Sequence, residues 1–247
     1  MFDSFILKLR RAETPFYRRL KGFALGIWTS VLPVPRFFYP VLGFMFESQQ
    51  SLLLGLRWIA TYFYMEPLFR GRCVSIGKRF RLSRMPFVIG HTRISIGDDV
   101  NFFGKVDIIS GRIFDEPRLI IGNRVDLGHN TIFIVNKEIV IEDDVNVASG
   151  ARFFDTDSHP RDTTDRIADL PPNPEEVKPV RIGRYAWIGH NVFVMKGVTI
   201  GEGAVIGVNS VVVSDIPPYS VAMGNPARVV VKNASKPVAG AEGSASG

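Results

Sequence analysis

The sequence has one cysteine, four histidines and no uncharged run that could cross a bilayer. A lone Cys73 excludes an intrachain disulfide framework and a cysteine-rich metal site, and it suits a reducing compartment. The longest uncharged run near the N-terminus, residues 22–35, falls short of the ~20 apolar residues that a spanning helix needs. A signal-peptide cleavage site and a glycine-rich Lys/Ser phosphate loop are also missing, which argues against secretion and against a sugar-nucleotide pyrophosphorylase.

Most of the chain also lacks net charge. Residues 73–247 carry twenty basic and twenty acidic side chains, whereas residues 1–72 carry ten and four, so the whole charge of +6 lies in the first 72 residues. The same segment holds sixteen of the 28 aromatic residues. Basic and aromatic residues together are typical of nucleic-acid or membrane surfaces, and the aliphatic content here favours a membrane. No nucleic-acid partner is predicted.

The N-terminal segment is predicted to be helical. Apolar residues at i, i+3, i+4 and i+7 predict an amphipathic helix near the start, and residues 51–65 predict a second apolar helix that Pro67 ends. We predict that residues 1–72 form a peripheral or monotopic anchor on the cytoplasmic face of the inner membrane, with basic side chains at anionic headgroups. The alternative is that these helices cap the remaining domain or pack within an oligomer.

Residues 180–213 contain a strict six-residue period. The large aliphatic residues of this period are Ile182, Ile188, Val194, Ile200, Ile206 and Val212, and four of them precede a glycine. Two residues before each of them is a small or branched residue: Val180, Ala186, Val192, Val198, Ala204 and Ser210. This period fits neither an amphipathic helix nor one long strand. It predicts very short strands joined by sharp turns, three to a coil of eighteen residues, which is a parallel β-helix.

The repeat extends upstream and gives about six coils over residues 73–232. Its further inward positions are Ile76, Leu82, Val88, Ile96, Phe102, Ile108, Ile121, Leu127, Phe133, Ile141, Val147 and Phe153. Between Ile141 and Ile182 the spacing is 41 residues instead of eighteen, so residues 155–179 must leave the coil as a loop. Such a long loop is typical of a functional site. Residues 233–247 are rich in Ala, Gly and Ser and are predicted to be disordered.

Two passages go beyond periodicity: Val180-Arg-Ile-Gly-Arg-Tyr-Ala-Trp-Ile-Gly-His190 and Met223-Gly-Asn-Pro-Ala-Arg228. Together with the hexapeptides they resemble the hexapeptide-repeat acyltransferases, in the branch of maltose, galactoside and surface-polysaccharide O-acetyltransferases. The resemblance covers about residues 74–232. It implies a mainly β, left-handed parallel β-helix, a homotrimer with active sites between subunits, acetyl-CoA as co-substrate and no metal.

The same resemblance implies the catalytic residues. His159, which lies on the long loop, matches the position of the family's catalytic histidine. An imidazole suits general-base chemistry because its ordinary pKa is near neutrality and a sugar hydroxyl must lose a proton to attack a thioester. Asp157 or Asp155 is expected to fix the imidazole tautomer. Asn136 is expected on the acceptor side.

The cofactor residues are implied in the same way. Trp187 is expected to line the pantetheine groove, and Gly189 to let the cofactor approach the backbone. Arg228, with Lys232, is expected to pair with phosphate oxygens. The next coil is expected to continue the groove with Ala204, Gly207 and Ser210. The chain has Val213-Ser214 where relatives have Thr-Lys, so one cationic contact is missing.

We therefore predict an acetyl-CoA-dependent O-acetyltransferase that acetylates a sugar hydroxyl of a lipid-linked glycan or a surface-polysaccharide precursor. Three alternatives stay open at this point. One is an N-acyltransferase acting on a nucleotide-linked amino sugar, and another is a non-catalytic membrane-bound scaffold. The third is a zinc site, because His129 and His190 share a coil register and could meet across a subunit interface.

Overall fold

The computed structural model describes residues 2–12, 14–30 and 34–232, with side chains from residue 5 onward. The predicted disordered tail, residues 233–247, lies outside the described residues. The chain divides into two compact units, residues 1–55 and 56–247. We describe each of them by itself.

The first unit is helical, as predicted. Its elements are α1 (Phe2–Arg11), α2 (Pro15–Thr29), a 3₁₀ turn (Arg36–Phe38) and most of α3 (Tyr39–Ala60). Pro15 begins α2 instead of only breaking the chain, because the first helical position needs no N–H donor. The rings of Phe5 and Tyr17 pack edge to face, 5.9 Å apart, between α1 and α2. None of the helices in the described ranges is long and apolar enough to cross a membrane.

The prediction that Pro67 ends a helix is wrong. A π-helical turn (Thr61–Met65) follows α3, and the helix continues directly as α4 (Glu66–Arg72). Pro67 lies in the first turn of α4, where its missing N–H is tolerated. The continued helix carries a buried side chain to the β-strand core. Phe69 of α4 lies 5.9 Å from the ring of Phe80 and 6.1 Å from that of Phe102, at the first end of the β-strand core.

The second unit consists mainly of twenty short strands. They are β1 (Ser75–Ile76), β2 (Arg81–Leu82), β3 (Phe87–Ile89), β4 (Arg93–Ile96), β5 (Asn101–Phe102), β6 (Val106–Ile109), β7 (Arg118–Ile121), β8 (Asp126–Leu127), β9 (Thr131–Ile134), β10 (Glu138–Ile141), β11 (Asn146–Val147), β12 (Arg152–Phe154), β13 (Val180–Ile182), β14 (Trp187–Ile188), β15 (Phe193–Val194), β16 (Thr199–Ile200), β17 (Val205–Ile206), β18 (Val211–Val212), β19 (Val221–Gly224) and β20 (Ala227–Val231).

Successive strands join three different sheets in turn. The first sheet has the order β1-β4-β7-β10-β13-β16, the second β2-β5-β8-β11-β14-β17-β19-β20, and the third β18-β15-β12-β9-β6-β3. All neighbours are parallel except β19 and β20, which form an antiparallel hairpin at the end of the second sheet. The sheets are therefore the three sides of a parallel coil, as the six-residue period predicts.

The predicted register is confirmed. Ile182 pairs with Ile200, Ile188 with Ile206, and Val194 with Val212. The upstream inward positions stack in the same way, namely Ile76 on Ile96, Leu82 on Phe102, Val88 on Ile108, Ile96 on Ile121, Phe102 on Leu127, Ile108 on Phe133, Ile121 on Ile141, Leu127 on Val147 and Phe133 on Phe153. Columns of like apolar side chains form the core, which the hydrophobic effect stabilises coil by coil.

Between β12 and β13 the chain leaves the sheets. This excursion, which we call the long loop (residues 155–179), contains the short helix α5 (Thr163–Ile167) and a 3₁₀ turn (Pro174–Glu176). The Asp162 carboxylate caps α5 by accepting the backbone N–H groups of Thr164 and Asp165. Below it, residues 110–117 form a smaller excursion between β6 and β7, at the same corner of the coil.

Candidate active site

The two excursions enclose a cavity of about 510 Å³. One wall is the end of the third sheet, with Ile109 and Ile134, followed by Asn136. The opposite walls come from the small excursion and the long loop, whose lining residues are Ser110, Gly111, Arg112, Ile113, Ser158, His159, Asp169, Leu170, Pro171 and Pro172. The volume is in the range of small-molecule sites, and the lining is mixed, with six polar or charged residues among thirteen, which suits a polar ligand.

His159 and Asn136 both line this cavity, so the structure brings two of the predicted site residues together. His159 follows Ser158, whose φ of 66° turns the chain sharply just before the imidazole. Within the described residues no hydrogen bond reaches the His159 ring. Its two nitrogens are thus open to a bound molecule, which is what a base that takes a proton from an acceptor needs.

Asn136 carries an unpartnered buried oxygen. Its side chain is only 4% exposed, and its Oδ1 has no hydrogen-bond partner in the described structure. Gly111 lies directly against this amide, and a Cβ there would collide with Oδ1. An unsatisfied buried acceptor is costly, so it marks a place where a ligand hydroxyl or N–H can donate.

Asp155 does not contact the imidazole. Its carboxylate is fully buried and accepts the backbone N–H groups of Asn136, Lys137 and Glu138 at 2.6 to 2.9 Å. Burial raises the pKa of this carboxyl to about 6, and the three N–H donors lower it only in part. Asp155 therefore ties the start of the long loop to the strand end that carries Asn136. Asp155 therefore does not fix the tautomer of the His159 imidazole in this conformation.

The Asp157 carboxylate does not bind His159 either. Its Oδ2 lies 2.6 Å from Nζ of Lys196 and 3.5 Å from the guanidinium of Arg161. The prediction that Asp157 orients the imidazole directly is thus not supported by this conformation. The physical reason is charge: a lysine ammonium and an arginine guanidinium lie close to this carboxylate and attract it.

The predicted cofactor residues lie elsewhere in the chain. Trp187 is on β14 of the second sheet and is 55% exposed, while Gly189 follows that strand and Arg228 lies exposed on β20. Neither these residues nor the other predicted cofactor residues line the cavity of His159. Gly189 packs against the backbone of Gly207, where a Cβ would be too close.

Two of the residues predicted to bind the cofactor have their side chains in the core. The side chains of Ala204 and Ser210 are fully buried. The Ser210 hydroxyl donates to the carbonyl of Gly207 at 2.7 Å and accepts the N–H of Gly224 at 3.0 Å, so it holds the terminal hairpin. Both residues occupy the small position two before an inward aliphatic, where side chains face the core. They can reach a cofactor only through their backbone, and Gly207 is half-buried between them.

No cluster of three or more His, Cys, Asp or Glu side chains in the described residues could hold a metal. His129 and His190 are both exposed, and Nδ1 of His129 already accepts the N–H of Lys105 at 3.1 Å. Burial raises the pKa of the Cys73 thiol to about 12, so the thiol stays protonated.

Sequence reasoning missed two features of the site. Lys196 binds the long loop from a turn 39 residues further on, and Arg112 binds both the carbonyl and the carboxylate of Asp169 across the cavity mouth. Neither residue belongs to a motif, and both partners are distant in sequence. The signal in the sequence was the composition of the long loop, whose seven acidic side chains outnumber its three basic ones and therefore favour cationic partners elsewhere in the chain.

Replacing Asn136 with alanine should lower kcat/KM for the acceptor by roughly ten- to hundredfold, the value of one buried hydrogen bond. The affinity for the acyl donor should stay unchanged. Steady-state kinetics with each substrate varied in turn test this expectation, with Asn101→Ala, which lies outside the cavity, as the control. Equal kinetics for wild type and Asn136→Ala would remove Asn136 from the acceptor site.

Comparison with known proteins agrees with the fold. Residues 179–214 match the family model described as "Bacterial transferase hexapeptide (six repeats)". The chain is 36% identical over 167 residues to "Putative acetyltransferase SACOL2570" of Staphylococcus aureus (strain COL), which covers 64% of this chain and 81% of that protein. The chain therefore belongs to the hexapeptide-repeat acyltransferases, and it is an enzyme of that class.

Solved structures give the same fold. The polySia-specific acetyltransferase NeuO is 26% identical, with a TM-score of 0.50 over 69% of this chain and 87% of that one. AntD, an N-acyltransferase from Bacillus cereus solved with dTDP and coenzyme A, is 19% identical with a TM-score of 0.52 over 68% and 89% of the two chains. At that identity AntD supports the shared fold alone.

Proposed function

We propose that the protein is an acetyl-CoA-dependent O-acetyltransferase with His159 as its general base. The observation that carries the proposal is the convergence of His159 and Asn136 on one cavity, in a chain of the acyltransferase family; the Oδ1 of Asn136 has no partner among the described residues. Free imidazole nitrogens and a free acceptor oxygen suit a polyhydroxylated acceptor. One of its hydroxyl groups meets the base, and a neighbouring donor meets Asn136.

In this mechanism His159 takes the proton of the sugar hydroxyl as its oxygen attacks the thioester carbonyl. The carbon–oxygen bond forms and the carbon–sulfur bond then breaks. The proton passes from the imidazolium to the departing thiolate, giving the acetyl ester and coenzyme A. Asn136 orients the acceptor, and Ile109, Ile134 and Leu170 supply the apolar part of the cavity wall.

The cofactor site follows from the separation of Trp187 and His159. Because Trp187 does not line the His159 cavity of its own chain, we place acetyl-CoA between subunits of a homotrimer, where Trp187 of one chain faces His159 of the next. A left-handed β-helix of six coils fits this assembly. In this proposal Arg228 and Lys232 pair with phosphate oxygens of the cofactor, and their exposure supports that role.

For the acceptor we propose a sugar of a lipid-linked glycan or a surface-polysaccharide precursor. The polySia-specific relative supports a glycan. The lipid link rests on the N-terminal helices, whose large apolar side chains stay exposed, with Trp28 at 87%. Together with the net charge of +6 in residues 1–72, they suit the anionic cytoplasmic face of the cell membrane. A surface-bound enzyme meets a lipid-linked acceptor at a raised effective concentration.

Trp187→Ala should weaken acetyl-CoA binding by roughly five- to thirtyfold, since an aromatic contact of this kind contributes about 1–2 kcal/mol. The free energy of unfolding should change little, because the indole is 55% exposed. Isothermal titration measures the affinity and urea denaturation measures the stability. Phe103→Ala, which removes an equally exposed ring (59%) from the end of β5, is the control. Undiminished binding would place the cofactor elsewhere.

The chemical nature of the product tests the proposed acceptor. Acetylated product from a mixture of candidate glycans should lose its acetyl group in mild base, as an ester does. A base-stable amide would instead favour an N-acyltransferase, the class to which AntD belongs.

The membrane location is tested by vesicle co-sedimentation of the full chain. Arg18→Glu/Arg19→Glu should reduce binding to anionic vesicles severalfold, and Arg81→Glu/Arg84→Glu should not.

A further inference from the structure

Four charged side chains form a network beside the cavity, and none of them lines it. Nζ of Lys196 lies 2.6 Å from Asp157 and 4.0 Å from Glu176. The Arg161 guanidinium lies 3.5 Å from Asp157 and 3.7 Å from Glu176. The Lys196 side chain is the least exposed of the four, at 14%. The two cations and two carboxylates therefore compensate each other around a nearly buried lysine.

The network joins parts of the chain that are far apart. Asp157 lies two residues before His159, and Glu176 lies near the other end of the long loop. Lys196 follows β15 and belongs to the strand unit itself. Lys196 thus links the start of the long loop to the coil through Asp157, while Glu176 lies at the outer limit of an ion pair, 4.0 Å away. Because the lysine side chain is only 14% exposed, its ammonium has little access to water and relies on the close Asp157 carboxylate.

The residues that lead to His159 are fixed one after another. Asp155 is held by three backbone N–H groups, and the Thr156 hydroxyl accepts the N–H of Ser158 at 3.1 Å. Asp157 is held by Lys196. His159 is the next side chain, and no hydrogen bond in the described chain holds its ring. Its position therefore depends on the backbone that these anchors fix.

We propose that Lys196 is a positioning residue for His159, acting through Asp157. This inference rests on the proposed function, in which His159 is the base. Lys196 touches neither acceptor nor imidazole, so it does not take part in proton transfer. It sets the place of the imidazole in the cavity, and a displacement of about 1 Å at a reacting group can cost roughly a hundredfold in rate. Asp157 has the same role, in place of the direct contact predicted from the sequence.

Lys196→Met removes the charge and keeps the length of the side chain. We expect kcat for acetyl transfer to fall about tenfold to a hundredfold, with the KM for acetyl-CoA and the Tm of the full-length protein nearly unchanged. Lys196→Arg, which can still reach the carboxylate, should recover most of the rate. Lys178→Met is the matched control, because Lys178 lies beside the same turn, against Gly197, and outside the network.

A double-mutant comparison separates positioning from general stability. Asp157→Asn should lower kcat to a similar extent, and Asp157→Asn/Lys196→Met should be no slower than the slower single variant. A kcat equal to wild type in Lys196→Met, or losses that multiply in the double variant, would overturn the inference. If Lys196→Met does not fold, Asp157→Asn and Lys196→Arg decide by the same readouts. A wild-type protein that transfers no acetyl group would instead overturn the proposed function itself.

Discussion

Replacing His159 with alanine is expected to lower kcat for acetyl transfer by about 10²- to 10⁴-fold, the usual contribution of a general base. The imidazole lines the proposed acceptor cavity, and no hydrogen bond among the described residues occupies its nitrogens. Because the side chain is exposed and holds nothing else in place, the Tm should stay within a few degrees of the wild-type value. Acetyl-CoA affinity should also persist, since Trp187 and Arg228 lie outside this cavity. Thiol release with a saturating glycan acceptor measures the rate.

Two companion variants sharpen the result. His159→Gln keeps a polar side chain of similar reach but cannot act as a base near neutral pH, so it should be as slow as the alanine variant. His129→Ala removes a histidine that the zinc alternative requires and should keep the wild-type rate. A His159→Gln enzyme with near wild-type kcat, or a His129→Ala enzyme that is inactive and has lost a bound metal, would contradict the account.

Asp155→Ala is expected to lower the free energy of unfolding by about 3–5 kcal/mol. It removes the acceptor for three backbone N–H groups in a fully buried site, and each unsatisfied donor costs about 1–3 kcal/mol. Asp155→Asn keeps one acceptor oxygen and should cost about half as much. Urea denaturation measures both values. Activity should fall in the alanine variant as well, since Asp155 holds the strand end that carries Asn136.

The ionisation of Asp155 adds a pH dependence of definite sign. Burial raises its pKa from an ordinary 3.8 to about 6, so between these values the folded protein binds more protons than the unfolded chain. The Asp155 contribution to stability is therefore fully present below pH 3.8 and decreases as the pH rises through 6. A shift of this size corresponds to about 3 kcal/mol. Wild-type stability relative to Asp155→Asn should fall by that amount between pH 4 and pH 7, and a constant difference would contradict the assignment.

The repeat could be predicted because its information is local. A six-residue period assigns each inward side chain from its own neighbours, and eighteen-residue coils then fix which residues stack, as Ile182 on Ile200 shows. The place of His159 on a loop also followed from spacing, since 41 residues cannot fit one coil. Its meeting with Asn136 followed from the family resemblance and is now visible as shared lining of one cavity.

The roles of Asp155, Asp157 and Ser210 could not be predicted, because their hydrogen-bond partners are distant in sequence and meet them only in the folded chain. Lys196 is 39 residues from Asp157, and Gly224 is 14 residues from Ser210. A carboxylate near a histidine in sequence suggests a hydrogen-bonded Asp–His pair. In the structure Asp155 instead accepts backbone N–H groups and Asp157 pairs with Lys196, so neither carboxylate contacts His159. The expectation that a proline ends a helix failed for Pro67 because the π-helical turn Thr61–Met65 precedes it, so the helix continues past the proline.

Calorimetric titration of the protein with acetyl-CoA, without any acceptor, measures whether this chain binds the proposed acyl donor. We expect saturable binding at one site per chain with a Kd in the micromolar to millimolar range, typical of enzyme substrates. We also expect retained binding in His159→Ala and weaker binding in Trp187→Ala. No detectable binding of acetyl-CoA to the wild-type protein at millimolar concentration would contradict the claim that this chain transfers acetyl groups from that donor.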